Sequence, residues 1–418
     1  MEVLIVGAGI GGLTLALTLH RAGIRARVFE AAPELRPVGL GINLLPHAAR
    51  ELFALELGGA LSRVAVETRE AVFFNRFGQL IHREPLGRLA GYAWPQFSIH
   101  RGDLQDVLLH AVRQRLGGDC VRTGWRCTRV DQDSRGAVAH FEDPAGRALE
   151  PQRGDAIVGC DGLHSTVRKQ LHPAEGDPLY SGVNAWRGTT RWPPFLTGAS
   201  FVRAGWLSHG KLVAYPIRDS IDDGPKGTPG LQLVNWVAEI ETPHYQKRDW
   251  NRAGNLEDFI GAFESWHFDW LDVPAFIRAA ESILEFPMVD QDPLPFWTRG
   301  RVTLLGDAAH PMYPRGSNGA AQAAIDARTL ADLLAQERDP RDALKTYEAA
   351  RLAVTAKVVR TNREHPPDFI NITVDQLTGG KPFRHIDDVI SQDELRRISE
   401  DYKRIAGFSL ASLKAGQV

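Results

Sequence analysis

The chain contains 418 residues, of which 43% are hydrophobic and 24% are charged, and its formal net charge is −2. This composition is typical of a soluble enzyme and excludes a strong electrostatic attraction to nucleic acid or an anionic membrane. The three cysteines form no CxxC pair and indicate neither a disulfide framework nor a zinc site. The N-terminal apolar segment lacks the basic start of a signal peptide, and no other run reaches the roughly 18 apolar residues of a membrane span. We therefore expect a cytoplasmic protein of two domains that uses no metal.

The N-terminal segment has the pattern of a dinucleotide-binding βαβ unit. The apolar run Val3–Val6 is followed by Gly7, Gly9 and Gly12, then by a helix-forming run and a second β-like run that ends at Glu30. Glycines at this spacing permit a tight turn, let the backbone approach a pyrophosphate and let the helix pack on the strand. We expect the pyrophosphate at the helix N-terminus and Glu30 on the hydroxyls of an adenosine ribose. The alternative is a glycine-rich turn in an ordinary α/β domain.

The next segments contain a loop, a helix and a group of strands. Prolines and glycines over 31–44 indicate a loop, in which the pair Gly39 and Gly41 predicts backbone close to a ligand. The pattern is helical from 46 to 61. Short apolar runs separated by glycines predict strands over 70–98.

Two candidate cofactor residues lie between the dinucleotide-binding motif and the tryptophan-rich region. Arg101 immediately precedes an amphipathic helix, where it could meet a phosphate or the edge of a bound cofactor, or form only a surface salt bridge. A buried-looking strand over 155–159 ends in Asp161, which could serve the cofactor or merely cap the following helix.

Residues 180–290 are strand-like and rich in tryptophan, with Pro/Gly/Asp loops between the runs. They predict a β-rich domain with large flat side chains on one face, some of which belong to the core. A later strand over 301–305 runs into Gly306 and Asp307, a glycine-rich loop and an alanine-rich helix. The tail beyond 366 contains a capping box at 391–394 and predicts one more helix with a structural role.

The order of these motifs resembles one enzyme family over residues 1–365. The GxGxxG sequence, the Asp161-Gly162 pair and the Gly306-Asp307 pair occur in the order found in single-component, FAD-dependent aromatic hydroxylases with the 4-hydroxybenzoate hydroxylase fold. The segments 98–102, 286–290 and 304–310 resemble a narrower branch, typified by 5-methylphenazine-1-carboxylate 1-monooxygenase.

The resemblance implies an α/β fold in three parts. A Rossmann-like FAD-binding domain would comprise residues 1–70, 99–178 and 290–365. An inserted antiparallel β-sheet would bind the substrate and comprise 71–98 and 179–289. A helical C-terminal extension, 366–418, would pack outside these domains.

The family's cofactor contacts fall on strand ends, turns and helix starts of this chain. The resemblance assigns them to Gly7, Gly9, Gly11, Gly12, Glu30, Ala31, Gly41, Arg101, Asp161, Gly306, Asp307, Gly316, Ser317, Asn318, Gly319 and Ala320. Asp307 would bond the ribityl chain, and the backbone of 316–319 would meet the pyrimidine edge of the flavin. Elementary chemistry agrees, because a carboxylate accepts hydroxyls and N–H groups at a helix start stabilise an anionic reduced flavin.

The implied reaction consumes NADH or NADPH and O2 and hydroxylates a small aromatic substrate through a C4a-hydroperoxyflavin. The protein must exclude water and orient the ring. The candidates for contacting the substrate are Tyr313, Pro314, His209 and Tyr215. Alternatives are an FAD-dependent dehydrogenase or epoxidase of the same fold, or a non-enzymatic dinucleotide-binding protein. A halogenase is disfavoured because the sequence has no Trp-x-Trp-x-Ile-Pro stretch.

The inserted region also suggests a substrate class. Its tryptophans suit a planar ring and its basic side chains suit an acidic substituent. The residues in question are Trp186, Trp192, Trp206, Trp236, Arg187, Arg191, Arg203, His209 and Lys211. We expect a planar aromatic or N-heteroaromatic acid of one to three rings beside Tyr313, bound by a monomer or homodimer.

Overall fold

The computed structural model describes residues 1–35, 40–219, 230–242 and 252–415. The helices are α1 (Ile10–Arg21), α2 (Pro46–Ala54), α3 (Gly58–Val64), α4 (Arg101–Leu116), α5 (Thr166–Leu171), α6 (Val273–Arg278), α7 (Gly319–Gln336), α8 (Pro340–Glu364), α9 (Phe369–Thr378), α10 (Gln392–Ile405) and α11 (Leu410–Ala415). The strands are β1 (Glu2–Val6), β2 (Arg25–Glu30), β3 (Gly41–Leu44), β4 (Val66–Glu67), β5 (Glu70–Phe74), β6 (Leu80–Pro85), β7 (Phe97–His100), β8 (Val121–Thr123), β9 (Arg126–Asp133), β10 (Gly136–Glu142), β11 (Gln152–Gly154), β12 (Ala156–Gly159), β13 (Leu179–Trp192), β14 (Ser200–Trp206), β15 (Gly210–Arg218), β16 (Gln232–Glu241), β17 (Arg252–Ala253), β18 (His267–Phe268), β19 (Leu271–Asp272), β20 (Ile283–Asp290) and β21 (Val302–Leu304).

A parallel sheet of order β21-β12-β1-β2-β8 organises the first body of the fold. Strands β1 and β12 are buried apolar runs because both faces of the sheet are covered there, with helices α1 and α7 contributing to the buried core. The strands point the same way, so the residues that follow β1, β2, β12 and β21 meet at one edge. These are the segments that begin at Gly7, Glu30, Cys160 and Leu305.

Two glycines set the distance between β1 and α1. Gly7 has φ +106°, and a Cβ there would lie 2.5 Å from the carbonyl oxygen of Cys160. A Cβ on Gly12 would lie 2.0 Å from the Gly7 carbonyl oxygen. Only glycine fits either position, as the motif predicts.

A large sheet of order β17-β20-β13-β16-β15-β14-β5-β6 forms the second body. Its pairs are antiparallel except β14 with β5, which is parallel, so the predicted antiparallel sheet is in detail mixed. A smaller sheet, β3-β7-β4, lies beside it and contacts β15.

The tryptophans of the large sheet lie mainly in a core on the side away from β3. Trp186 and Trp236 pack with Trp266 beneath the segment 256–278, and Trp192 packs at the edge of the same cluster. Trp206 differs, because it packs near Tyr313 on the opposite face. The expectation that these four rings receive the substrate is therefore wrong for three of them.

The C-terminal helices are integrated into the fold. Ile370, Val374 and Leu395 pack against Ala71 and Phe73 of the large sheet. The extension thus packs on the large sheet, and its residues also reach buried polar groups of both domains.

One of these groups is a buried ionic cluster. Asp368, immediately before α9, accepts hydrogen bonds from Arg203 at 2.8 Å and from Lys211 at 3.1 Å, and Lys211 also bonds Glu239. The four side chains are at most 8% exposed. Burial alone would raise the pKa of Asp368, but the attraction of Arg203 and Lys211 outweighs it and lowers the pKa to about 2. The carboxylate is therefore ionised and ties α9 to the sheet.

We predict that Asp368→Ala lowers the free energy of unfolding by about 3 to 5 kcal/mol, because it leaves two buried cations short of a partner. Chemical denaturation of the purified protein measures this loss. The control is Asp387→Ala, which removes an exposed carboxylate from the same extension and should change stability by less than about 0.5 kcal/mol. Equal stabilities of the two variants would contradict the role of the cluster.

The same ion pairs predict how the free energy of unfolding decreases at acid pH. The folded-state pKa of Asp368 lies below its unfolded value of about 3.9, so its contribution is present above that value and is lost as the pH falls towards about 2. Asp368→Ala should therefore lose less stability than the wild type between pH 5 and pH 2.

Candidate active site

The start of α1 is built to receive an anion. Gly9 is its N-cap, and no side chain caps the first N–H groups of the helix. A Cβ built on Gly9 would have no atom within 4 Å, so the position opens to free space. Gly11 instead faces the interior, where Leu305 lies 3.1 Å from a built Cβ. Uncapped N–H groups beside open space fit a pyrophosphate.

Glu30 is held rigidly at the end of β2. One carboxylate oxygen accepts the N–H of Ala8 and the other accepts the N–H of Ala32, each at 2.8 Å. The side chain is only partly buried, and each oxygen keeps a lone pair. Together with Ala31 in the following turn, this arrangement fits a ribose next to the pyrophosphate position.

Asp307 lies at the other end of the same edge. Gly306, with φ +62°, turns the chain out of β21 into a 3-10 turn, and the Asp307 side chain is exposed. A Cβ on Gly319, the first residue of α7, would lie 3.5 Å from its Oδ1. The carboxylate thus stands in the open at the start of α7, where hydroxyls of a ribityl chain could reach it.

Buried side chains fix this turn from behind. Arg168 donates to the carbonyl oxygens of Ala308 and Ala309 at 3.0 Å each, and Asp326 bonds His310 at 2.6 Å. Arg351 pairs with the other Asp326 oxygen at 2.7 Å. The sequence did not reveal Asp326 or Arg351, since acidic and basic residues on helices are usually exposed.

The loop before α7 leads into a second helix N-terminus that could bind an anion. Pro314, which is exposed, begins a 3-10 turn that ends at Gly316, and Ser317 has φ +54°. Asn318 is the N-cap of α7 but its side chain caps none of the helix N–H groups. Among the described residues, no side chain therefore caps the N–H groups around Gly319 and Ala320, and these groups remain free for a ligand.

Asp161 takes the role that the sequence left as its alternative. Its carboxylate accepts the Ser165 hydroxyl at 2.5 Å and the Thr166 N–H at 2.8 Å, at the start of α5. Burial raises the pKa of this carboxyl. The structure thus supports helix capping, and a cofactor contact of Asp161 stays a prediction.

Arg101 begins α4, and its backbone N–H bonds the Leu40 carbonyl oxygen at 3.0 Å. Its guanidinium is exposed and forms no ion pair with the described residues. The nearby Asp103 is already held by Arg218 at 2.6 Å. Arg101 is therefore free to meet an anion, which disfavours the surface-salt-bridge alternative.

Tyr313 lies between the cofactor edge and the large sheet. It is 6% exposed and packs with Val183, Ala185 and Met288. Burial, followed by the charge of Asp290, raises the pKa of Tyr313 to about 12. The segment 286–290 thus supplies both the apolar neighbour Met288 and a carboxylate whose charge acts on Tyr313.

Tyr215 lies on the same sheet face, beside Gly41. It is 4% exposed and stacks on Phe201 with ring centroids 5.0 Å apart. Burial raises the pKa of Tyr215, and the charge of Arg187 acts in the opposite direction. A Cβ on Gly41 would lie 2.6 Å from the Tyr215 ring, so the glycine is required by the sheet. Gly39, which the sequence analysis paired with Gly41 as backbone close to a ligand, lies outside the described residues.

The remaining predicted substrate contacts are not brought together. His209 is exposed on the β14–β15 turn, where its Nε2 would lie 2.7 Å from a Cβ on Gly380. Arg203 and Lys211 are engaged by Asp368, and Arg191 pairs with Glu281. The hairpin that carries His209 turns towards the C-terminal extension, so its proposed substrate contact has no support in the structure.

Comparison with known proteins gives the family. A family model described as "FAD binding domain" matches residues 1–181 and 289–362. The chain is 44% identical over 368 residues to phenazine 1,6-dicarboxylic acid hydroxylase PhzS from Lysobacter antibioticus, covering 87% of this chain and 89% of that protein. The chain belongs to the single-component, FAD-dependent aromatic hydroxylases.

One further relative agrees with this assignment, and a solved structure agrees with the fold. The hydroxylase is 35% identical over 381 residues to 3-amino-4-hydroxybenzoate 2-monooxygenase PtnB3 from Streptomyces platensis, covering 88% of each chain. Its fold matches Klebsiella pneumoniae HpxO complexed with FAD and uric acid, with a TM-score of 0.76, 23% identity and coverage of 99% and 97%. The predicted α/β fold with its FAD-binding domain and C-terminal helical part is confirmed, whereas the domain boundaries stay a prediction.

The hydroxylase is a flavin-dependent monooxygenase with FAD as cofactor and NAD(P)H as transient donor. When bound, FAD supplies the redox chemistry with O2, and the protein supplies position and shielding from water. The residues present fit FAD, because two uncapped helix starts and the carboxylates Glu30 and Asp307 line one edge. Among the described residues, no helix has the length and apolar character of a membrane span, and no cluster of three acidic, His or Cys side chains could hold a metal.

We predict that Asp307→Ala raises the dissociation constant for FAD about 10- to 150-fold, because a charged acceptor for hydroxyls contributes about 1.5 to 3 kcal/mol. Fluorescence titration of the FAD-free protein measures this constant. Asp106→Ala, which removes an exposed carboxylate of α4, is the control and should bind FAD like the wild type. Undiminished affinity in Asp307→Ala would contradict the ribityl role.

We also predict that Arg101→Ala weakens FAD binding about two- to fivefold at low salt, with a smaller effect at high salt, since an exposed charge contact is weak and screened. The same titration at two salt concentrations tests this. Arg113→Ala, on the same helix, should have no effect. Identical behaviour of the two variants would remove Arg101 from the cofactor site.

Proposed function

We propose that the hydroxylase acts on a planar aromatic or N-heteroaromatic acid, and that Arg187 and Asn235 receive its acidic group. One observation carries the proposal: Arg187 Nε and Asn235 Nδ2 are both buried and lack a hydrogen-bond partner among the described residues. Buried donors are nearly always paired in proteins. Two unpaired donors on the face towards the cofactor edge therefore call for a ligand with acceptor oxygens.

The two side chains are held next to each other by a single residue. Asn235 Oδ1 accepts the Gly41 N–H at 2.7 Å, and an Arg187 Nη donates to the Gly41 carbonyl oxygen at 3.0 Å. Their remaining N–H groups are thus fixed at the junction of β3 with β13 and β16. This arrangement is pre-organised, which favours binding of a rigid acceptor.

The charge at this junction favours an anion. No carboxylate of the described residues lies within ion-pair distance of Arg187. Burial lowers the pKa of this guanidinium, with Tyr215 acting in the opposite direction. A buried cation without a carboxylate partner is costly, and a carboxylate ligand would offset the cost.

The neighbouring surface favours a flat ring. Val213, Tyr215 and Phe201 form one apolar cluster on this face, and Val237 links it to the cluster that contains Met288 and Tyr313. Apolar and aromatic walls with a few polar groups are typical of sites for planar ligands. The name of the relative from Lysobacter antibioticus, a phenazine 1,6-dicarboxylic acid hydroxylase, describes a substrate of this kind.

The setting of the reaction follows the same proposal. The enzyme would use NADH or NADPH with O2 and would hydroxylate the ring while Tyr313 orients a substituent. It would work in the cytoplasm as a monomer or homodimer.

Measuring NAD(P)H oxidation against matched pairs of aromatic acids and their carboxamides tests the substrate class. Stimulation by neutral aliphatic compounds alone would contradict the proposed substrate class.

We predict that Arg187→Met lowers kcat/KM for a carboxylated substrate about 10- to 150-fold more than for its carboxamide, as expected for loss of a charge-assisted hydrogen bond. Any effect of the substitution through Gly41 would lower kcat/KM equally for the acid and for its carboxamide. The ratio of the two kcat/KM values therefore isolates the contact with the carboxylate. Arg191→Met, on the same strand, is the control and should leave the ratio unchanged. An unchanged ratio in Arg187→Met would contradict the assignment.

A further inference from the structure

The C-terminal extension reaches the back of the loop that precedes α7. Tyr402, on α10, is 5% exposed, and a Cβ built on Gly316 would lie only 1.5 Å from its hydroxyl oxygen. Glycine at 316 is thus required by a side chain from the far end of the chain. The extension is in direct contact with the segment expected to meet the flavin.

The Tyr402 hydroxyl joins two asparagines of this region. It donates to Asn362 Oδ1 at 2.7 Å and accepts from Asn318 Nδ2 at 2.8 Å. Asn318 Nδ2 also donates to the Gly316 carbonyl oxygen at 3.1 Å, and Asn362 Nδ2 donates to the Tyr313 carbonyl oxygen at 3.3 Å. One hydroxyl therefore links both ends of the loop from 313 to 318.

His47 completes the network from the opposite side. Its Nε2 lies 3.2 Å from Asn318 Oδ1, and its ring stacks on Phe408 with centroids 5.0 Å apart. Burial lowers the pKa of His47 to about 3, so the ring is neutral. Because Asn318 uses its N–H groups elsewhere, His47 donates from Nε2. Phe408 follows α10, so the extension holds this residue as well.

We propose that residues 392–408 brace the flavin-binding loop and that Tyr402 is its positioning residue. The brace holds Ser317 in the left-handed region and keeps Asn318 from folding back over the N–H groups that begin α7. Those groups then point at the cofactor with little freedom to lose on binding. The proposal rests on the assignment of the 314–319 loop to the flavin and is independent of the substrate.

Tyr402→Phe tests the brace, because it removes the hydroxyl and keeps the ring. We expect the dissociation constant of FAD to rise about five- to tenfold, the value of one hydrogen bond, and the flavin reduction potential to fall. The matched control is Tyr92→Phe, whose hydroxyl bonds the Phe408 carbonyl oxygen at 2.7 Å in the same cluster without touching the loop. Because Phe408 reaches the loop only through His47, the FAD affinity and potential of Tyr92→Phe should shift less than those of Tyr402→Phe.

Both variants lose one buried hydroxyl, so the unfolding midpoints of the two FAD-free proteins should be similar. A larger loss of FAD affinity in Tyr402→Phe then reports the positioning of the loop and not the stability of the fold. Equal FAD affinities and equal potentials in the two variants would overturn the proposal. Should Tyr402→Phe not fold, Asn362→Ala removes the acceptor of the same hydroxyl and must raise the FAD dissociation constant similarly. Neither readout needs a substrate, so a failed substrate assignment would leave this result unaffected.

Discussion

The close approach of β1 and α1 is the constraint on which the rest of the site depends. A side chain at Gly12 would displace the Gly7 backbone, and a side chain at Gly7 would displace Cys160. With both glycines present, the first N–H groups of α1 lie at the edge where β2, β12 and β21 also end. Glu30 and Asp307 therefore lie along the same edge of the parallel sheet, although the two residues are far apart in sequence.

A second junction makes this edge an enzyme site. Asn235 and Arg187 of the large sheet hold the backbone of Gly41, and Tyr313 packs against Ala185 and Met288. The sheet therefore presents an apolar face to the segment that follows Asp307. The same side chains that join the large sheet to β3 keep unpaired donors, so they would hold the two sheets together and also contact the proposed substrate.

The sequence could predict the parts of the site that depend on local geometry. Gly7, Gly12 and the strand ends follow from a short motif whose spacing has a steric reason. It could not predict which face of a strand is covered by a distant segment, so Trp186 and Trp236 were assigned to the substrate although they form the opposite core. An asparagine in the apolar run of β16 was the available signal for Asn235.

Pairing across long stretches of sequence was the other limit. Arg203 suits an anionic substrate by its charge, but Asp368 neutralises it from 165 residues away. Tyr402 reaches Gly316 from the C-terminal extension, and nothing in the spacing of either residue indicates the contact. These pairings arise from how helices dock on the sheet, which hydrophobic periodicity alone does not specify.

The most direct test of this account is a crystal structure of the enzyme with FAD and an aromatic acid bound. We predict hydrogen bonds of about 3 Å from the start of α1 to the pyrophosphate, from Asp307 to the ribityl chain and from Arg187 to the carboxylate of the acid. The flavin ring should lie between the 314–319 loop and the large sheet. A pyrophosphate away from Gly9, or a flavin ring that does not face this sheet, would contradict the account.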